Sequence, residues 1–204
     1  MFTLSEIQHD ALVEIFNLGV GQAASAMSRI VNEDVTMSVP TITFQTRAEA
    51  AQSLSKNGTP RICAITQSYQ GAFSTEAILM FPEDKSLEIV CLMVGETLTV
   101  EELSEMEQEA MSEIGNIILN SCMGTLANVS STELQGSLPR YHVGTSDQIL
   151  GASGTDWTGL VLTLKIDFNI ERHQIHGYVA FLLDMAALQD LQKYIDAYLR
   201  RLAI

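Results

Sequence analysis

Two stretches of this sequence carry the same polar pattern. Residues 10–40 read DALVEIFNLGVGQAASAMSRIVNEDVTMSVP, and residues 109–139 read EAMSEIGNIILNSCMGTLANVSSTELQGSLP. Both contain a glutamate, then an asparagine three residues later, then a proline at one fixed distance: Glu14, Asn17 and Pro40, and again Glu113, Asn116 and Pro139. An acidic residue, Asp10 or Glu109, stands one helical turn before each glutamate. We therefore predict a tandem repeat, with halves of approximately residues 1–98 and 99–204.

The two halves have diverged almost everywhere else. When residues 5–40 are aligned with 104–139, an offset of 99, eight positions are identical: Ser5, Glu6, Ala11, Glu14, Ile15, Asn17, Ser38 and Pro40. Shared ancestry and a solvated helix face could together account for a retained Glu and Asn. Exposed polar positions usually drift fastest, however, and neighbouring polar positions have changed. The survival of this pair in both halves therefore favours a functional role.

Apolar residues recur at helical spacing between Ser5 and Val31, which predicts one long helix. Ser5 and Gln8 form a capping-box pattern at its start. Residues 35–44, interrupted by Pro40, predict extended chain with a bend or an edge. Small residues such as Gly19 and Gly21 indicate close packing against a neighbouring element. They fit the spacing of a dinucleotide-binding loop, but no strand precedes them, so we reject that interpretation.

The rest of the first half predicts a short helix and a turn over 47–58, a hairpin that turns near Gly71, and a helix that starts at Pro82. The second half predicts a helix over 104–130, extended chain broken by Pro139, a long hairpin over 158–183 and a closing helix. These elements indicate an α+β fold: a tandem pseudo-twofold repeat in which long helices cover an antiparallel sheet. We expect one compact domain.

Composition limits the possible partners. The 204-residue chain is 47% apolar and 18% charged, as expected for a folded protein, and its formal net charge is -14. That charge repels nucleic acid and anionic membranes, so neither is an expected partner. No signal peptide and no membrane span are visible, and three cysteines among apolar neighbours, without a CxxC pair, indicate buried free thiols. We expect a cytoplasmic protein.

The chemistry of the polar pair points to a site completed by another molecule. Asp10, Glu14 and Asn17 lie on one stripe of the predicted helix. Neither Glu nor Asn has a neighbouring base that would make a nucleophile. An asparagine carboxamide can fix the orientation of one water, and a glutamate can form a salt bridge with a lysine of a partner.

The pattern Asp10, Glu14, Asn17 and Pro40 closely resembles the signature of the CheC/CheX/FliY family of chemotaxis phosphatases. EIFNLGVGQAASAMS, residues 14–28, is similar to the corresponding family segment, and SEIGN in the second half is also family-like. Glu109 departs from the signature, because Asp or Ser is expected there. The double layout resembles the CheC branch, which carries two such sites.

The resemblance implies a function that the residues alone only suggest. Family members hydrolyse the aspartyl phosphate of a CheY-type response regulator. It implies that Glu14 with Asn17 and Glu113 with Asn116 are catalytic: asparagine orients the attacking water, and glutamate pairs with the lysine of the regulator. Pro40 and Pro139 would be structural.

The resemblance also concerns cofactors and partners. It implies no cofactor of the chain's own, because the regulator holds the Mg²⁺. The receptor deamidase CheD is a further candidate partner. The alternative function is a non-catalytic binding module for a phosphorylated receiver domain or for CheD.

Overall fold

The structure, a computed structural model, describes residues 2–31, 34–56, 61–71, 73–94, 99–152, 158–170 and 173–202. In these ranges the chain forms six helices and seven strands. In chain order they are α1 (Glu6–Val31), β1 (Val35–Gln45), α2 (Arg47–Lys56), β2 (Ile62–Gly71), β3 (Thr75–Pro82), α3 (Glu83–Val94), α4 (Val100–Ser130), β4 (Leu134–Gly136), β5 (Arg140–Gly144), α5 (Ser146–Leu150), β6 (Leu160–Ile170), β7 (His173–Leu183) and α6 (Met185–Arg201).

The described strands form one antiparallel sheet in the order β1-β6-β7-β3-β2-β4, and β5 also pairs with β2. The two hairpins, β2–β3 and β6–β7, lie side by side in the middle, where β3 pairs with β7. β1 forms one edge, while β4 and β5 together form the other. The predicted α+β fold, with long helices on an antiparallel sheet, is confirmed.

The pairing registers show the pseudo-twofold relation of the sheet. On one side Val161 of β6 pairs with Gln45, and on the other Ile62 of β2 pairs with Gly144. Subtracting 99 from 161 and from 144 gives 62 and 45, so the two pairs correspond at the offset seen in the sequence. The same offset relates Phe168–Met37 to Tyr69–Gly136.

Alternation along the strands creates two apolar layers. In β6, even-numbered residues such as Leu162 and Leu164 join the larger core, which α1, α3, α4 and α6 cover. Val161, an odd-numbered residue of the same strand, belongs to a smaller cluster on the opposite face, beneath α2 and α5. The long helices that carry the polar pattern therefore pack on one face of the sheet.

Prolines interrupt both edges of the sheet. The pairing of β1 with β6 shifts register between Ser38 and Thr41, on either side of Pro40. On the opposite edge, Pro139 lies between β4 and β5. Proline lacks the N–H that a ladder needs, which confines it to edges and irregularities. The predicted bend or edge at these positions is confirmed.

Three details differ from the predictions. Pro82 ends β3, and α3 begins at Glu83. α4 begins at Val100 rather than residue 104, because Thr99 and Glu102 form a capping box there. The short helix α5 was not predicted. Residues 57–58, at the predicted turn, and residues 72 and 171–172, at the two hairpin turns, lie outside the described residues. No described helix is long and apolar enough to cross a membrane.

Candidate functional site

The predicted site residues lie on two helices that pack against each other, α1 and α4. Asp10, Glu14 and Asn17 are on α1, and their counterparts Glu109, Glu113 and Asn116 are on α4. All four acidic side chains are exposed, whereas both asparagines are half-buried. The glutamates are thus available to a partner, as predicted. The asparagines are not simply solvated, because each is bonded to the protein.

Asn17 is held by the backbone of the edge strand β1. The N–H of Val39 donates to Asn17 Oδ1 at 3.0 Å. Val39 and Pro40 fall within the register shift of β1, so this N–H is outside the regular ladder. The donor that holds the asparagine thus lies in the interruption of β1 that contains Pro40. This contact gives a physical reason for the fixed spacing between Asn17 and Pro40.

Asn116 is held by side chains instead. Its Oδ1 accepts from Asn120 Nδ2 at 2.7 Å and from Gln67 Nε2 at 3.1 Å. Gln67 Nε2 also donates to the carbonyl oxygen of Ser137 at 3.0 Å. Ser137 lies two residues before Pro139, so the second site, like the first, is joined to the interrupted edge of the sheet.

A buried phenol completes the contacts around Asn116. The hydroxyl of Tyr69 lies 2.8 Å from Asn120 Oδ1 and 3.1 Å from Gln67 Oε1, and its single proton can serve one of them at a time. Burial raises the pKa of Tyr69 well above its usual range, so the hydroxyl keeps its proton at neutral pH. Gln67, Tyr69 and Asn120 are therefore further candidate site residues.

Sequence reasoning missed these three residues. The sequence spacing could have indicated Asn120, because it follows Asn116 by four positions and so lies on the same helix stripe. Gln67 and Tyr69 had no such signal, since they lie on a strand, 49 and 47 positions before Asn116, and face inward among apolar residues.

Both asparagines present the same group outward. Within the described residues, neither Asn17 Nδ2 nor Asn116 Nδ2 is hydrogen-bonded to the protein. Exposed leucines lie close in sequence: Leu18, 47% exposed, follows Asn17, and Leu138, 85% exposed, precedes Pro139. Each site thus combines an amide donor with an exposed carboxylate one helical turn away, groups that are available to another protein.

Metal ligands are not part of this arrangement in the described ranges. No group of three or more His, Cys, Asp or Glu side chains there is placed to hold a metal ion.

The fold and the paired helices resemble the CheC class of chemotaxis proteins, and the comparisons agree. Residues 7–43, which include Asp10, Glu14, Asn17 and Pro40, match the model of the CheC-like family. The resemblance that the sequence indicated is confirmed.

Two relatives from Bacillus subtilis (strain 168) match in sequence. The CheY-P phosphatase CheC is 27% identical over 67% of this chain and 66% of its own length. The flagellar motor switch phosphatase FliY is 26% identical over 82% of this chain and 43% of its own length. The match thus spans just under two thirds of CheC and less than half of FliY.

Solved structures show the same fold. Thermotoga maritima FliY matches with a TM-score of 0.77 at 18% identity, covering 97% of this chain and 100% of that one. A CheX–CheY–BeF3–Mg²⁺ complex from Borrelia burgdorferi contains a chain that matches with a TM-score of 0.52 at 14% identity, covering 84% of this chain and 97% of that one.

Proposed function

We propose that this chain is a phosphatase that hydrolyses the aspartyl phosphate of a CheY-type response regulator in bacterial or archaeal chemotaxis signalling. The catalytic residues would be Glu14 with Asn17 and Glu113 with Asn116. The observation that carries the proposal is that both asparagines are held through the carboxamide oxygen. Each therefore offers its NH₂ group outward, one helical turn from an exposed glutamate.

The asparagine positions the attacking water. Its NH₂ group donates to the oxygen of that water and fixes it in line with the acyl phosphate, while the second lone pair of the water attacks phosphorus. A bond forms between the water oxygen and phosphorus, the phosphorus–oxygen bond to the aspartate breaks, and the carboxylate of the regulator is restored. Both protons of the water leave with inorganic phosphate. Mg²⁺ belongs to the regulator in this scheme.

The other residues of the pattern support docking and geometry. Glu14 and Glu113 pair with the active-site lysine of the regulator, which fixes the docking register. Asp10 and Glu109 are supporting residues one turn earlier on the same helices. Pro40 and Pro139 are structural, and Pro40 stands in the interruption of β1 from which the N–H of Val39 donates to Asn17.

The names of two similar proteins support the proposal. CheC of Bacillus subtilis is named as a CheY-P phosphatase, and the CheX structure contains CheY together with Mg²⁺. We also propose that the chain is a single CheC-like domain made of repeats at about 1–98 and 99–204, acting in the cytoplasm. CheD remains a second proposed partner, on the resemblance to CheC.

The test is the dephosphorylation of a CheY-type regulator loaded with acetyl phosphate. We expect wild type to accelerate hydrolysis and the Asn17→Ala, Asn116→Ala double variant to lose that acceleration. Orienting one water contributes on the order of 10² to 10⁴-fold, so the loss should appear in kcat far more than in binding. The single variants rank the two sites.

The matched control is Asn128→Ala, which removes an exposed asparagine three turns further along α4 and should leave the rate unchanged. If the wild-type protein binds the phosphorylated regulator but does not raise the dephosphorylation rate above the regulator's spontaneous rate, the phosphatase proposal is wrong. The chain would then be a binding module.

A further inference from the structure

The side chains around Asn116 differ from those at the equivalent positions of the other half. Subtracting or adding 99 relates Asn120 to Gly21, Gln67 to Ile166 and Tyr69 to Phe168. Ile166 and Phe168 are buried in the core on the same face of the sheet as Gln67 and Tyr69. The same scaffold therefore folds with an apolar lining in one half and a polar lining in the other.

Folding alone does not explain the polar lining. Gln67 is 1% exposed and Tyr69 is 2% exposed, so their polar groups lose water and need partners inside the protein. An isoleucine and a phenylalanine fill the equivalent space without that requirement. The partners that Gln67 and Tyr69 find lead to Asn116, which suggests a role at the second site.

The hydrogen bonds around Asn116 fix the direction of every amide. The carbonyl oxygen of Ser137 can only accept, so the atom of Gln67 that faces it must be the NH₂ nitrogen. The same nitrogen faces Asn116, whose contacting atom must therefore be the oxygen. Asn120 then contacts that oxygen with its nitrogen and turns its own oxygen to the hydroxyl of Tyr69.

If the Asn116 carboxamide were flipped, its NH₂ group would face the NH₂ groups of Gln67 and Asn120, and three donors would meet without an acceptor. In the observed orientation both lone pairs of Oδ1 are used, and the NH₂ group alone remains to be offered. Asn17 differs, because in the part of the chain that the structure describes one backbone N–H holds its oxygen, and Gly21 provides no side chain one turn later. The second asparagine is thus held from two directions and the first from one.

We propose that Gln67, Tyr69 and Asn120 are positioning residues that lock the Asn116 carboxamide with its NH₂ group toward the incoming acyl phosphate. This inference rests on the proposed phosphatase function. It assigns the two sites different internal support: backbone support at Asn17, and a side-chain network at Asn116. Changes in the network should affect the second site alone.

The test uses the Asn17→Ala background, in which only the second site acts on the phosphorylated CheY-type regulator. Tyr69→Phe and Asn120→Ala should each lower kcat about 2- to 10-fold, the range expected for one lost hydrogen bond, with KM unchanged. In the Asn116→Ala background, where only the first site acts, the same changes should leave kcat unchanged.

A matched control separates positioning from the general loss of a tyrosine hydroxyl that bonds to α4. Tyr141→Phe removes a hydroxyl that donates to Glu107 at 2.9 Å, also on α4 but more than two turns from Asn116. It should not alter kcat in either background. Equal losses in both backgrounds, or no loss from Tyr69→Phe and Asn120→Ala, would overturn the proposal.

A second readout does not depend on hydrolysis. The side-chain amide signals of Asn116, assigned by their loss in Asn116→Ala, should shift and exchange faster with water in Tyr69→Phe and Asn120→Ala. Unchanged signals would contradict the network whatever the kinetics show. If wild type adds nothing to hydrolysis, the proposed function fails, and these signals decide separately whether the network fixes the carboxamide.

Discussion

Gly19 lies where α1 packs against α4. A Cβ atom at this position would come 2.9 Å from Cα of Cys122 and 3.2 Å from the carbonyl oxygen of Ser121. Both are backbone atoms, so no side chain can rotate away to make room. Gly21, two residues further, faces open space. The sequence predicted close packing for both glycines, and the structure confirms it for Gly19 alone.

The two glycines should therefore respond in opposite directions to alanine. Gly19→Ala should lower the free energy of unfolding by about 1–3 kcal/mol, because α1 and α4 must move apart. Gly21→Ala should raise it by about 0.5–1 kcal/mol, since alanine favours the helix and meets no obstacle. Urea denaturation of both variants gives the comparison, and a loss of stability in Gly21→Ala would contradict it.

At the scale of single residues, the sequence indicated the polar pairs of the proposed sites and missed the contacts that support them. Glu14 and Asn17 are proposed site residues because the pattern occurs twice and its spacing places them on one helix stripe. Val39 could not be found, because its role depends on a register shift in β1. Gln67 is a buried glutamine in an apolar strand, and only the sheet pairing shows which helix it faces.

Among the elements, α4 shows how a repeat can mislead. Aligning the halves placed the start of this helix at residue 104, opposite Ser5, whose side chain caps α1 together with Gln8. The structure has the cap at Thr99, where the hydroxyl accepts from the N–H of Glu102 and the carboxylate of Glu102 accepts from the N–H of Thr99. Each helix has its own capping box, at positions that do not correspond.

The α4 cap gives a pH-dependent contribution to stability. The backbone N–H of Thr99, and secondarily its side chain, lowers the pKa of Glu102 from its ordinary value of 4.5. Because the pKa of Glu102 is lower in the folded state, its contribution to the free energy of unfolding is fully present above pH 4.5. That contribution is lost as the pH falls through the lowered pKa. Glu102→Ala should therefore reduce the urea midpoint at pH 7, and by less at pH 3.5.

The control for this variant is Glu105→Ala, which removes a second exposed carboxylate from the first turns of α4 without removing a cap. It should change the urea midpoint less than Glu102→Ala does at pH 7. A difference between wild type and Glu102→Ala that stays constant between pH 7 and pH 3.5 would show that the carboxylate of Glu102 is not the stabilising group.

Helices and strands with a regular hydrophobic period were predictable from the sequence, and short elements that depend on their surroundings were not. The long helices and the two hairpins have clear periods of 3.6 and 2, so α1, β2–β3, β6–β7 and α6 were predicted. The five-residue helix α5 is too short for such a period. It forms through the capping box of Thr145 and Gln148 and ends at Gly151, a left-handed residue.

For the whole molecule, the repeat predicted the symmetry of the sheet but not the difference between its halves. The pairing registers correspond at an offset of 99, so the backbone scaffold is nearly equivalent on the two sides. The linings beneath the two asparagines are not, since one is apolar and one polar. Duplication has kept the positions of the two proposed sites while leaving each half free to support its site differently.

The three cysteines report on the integrity of the whole core. Cys122 lies in the contact between α1 and α4, and Cys63 lies in β2 beneath the helices; both are fully buried. Burial raises the pKa of each thiol to about 12. Cys91, in α3, is only half-buried. The sequence predicted three buried free thiols, and the structure confirms two of them.

The native protein should therefore react with iodoacetamide at Cys91 alone. At pH 8 a thiol with a pKa of about 12 is ionised in only about one molecule in 10⁴, and the thiolate is the reactive form. Intact mass should show one adduct in buffer and three in urea, with the second and third forming together at the unfolding midpoint, since α1, α4 and β2 share one core. Cys91→Ser should abolish the native adduct. Rapid labelling of Cys63 or Cys122 without urea would show that the helices separate from the sheet in the folded protein.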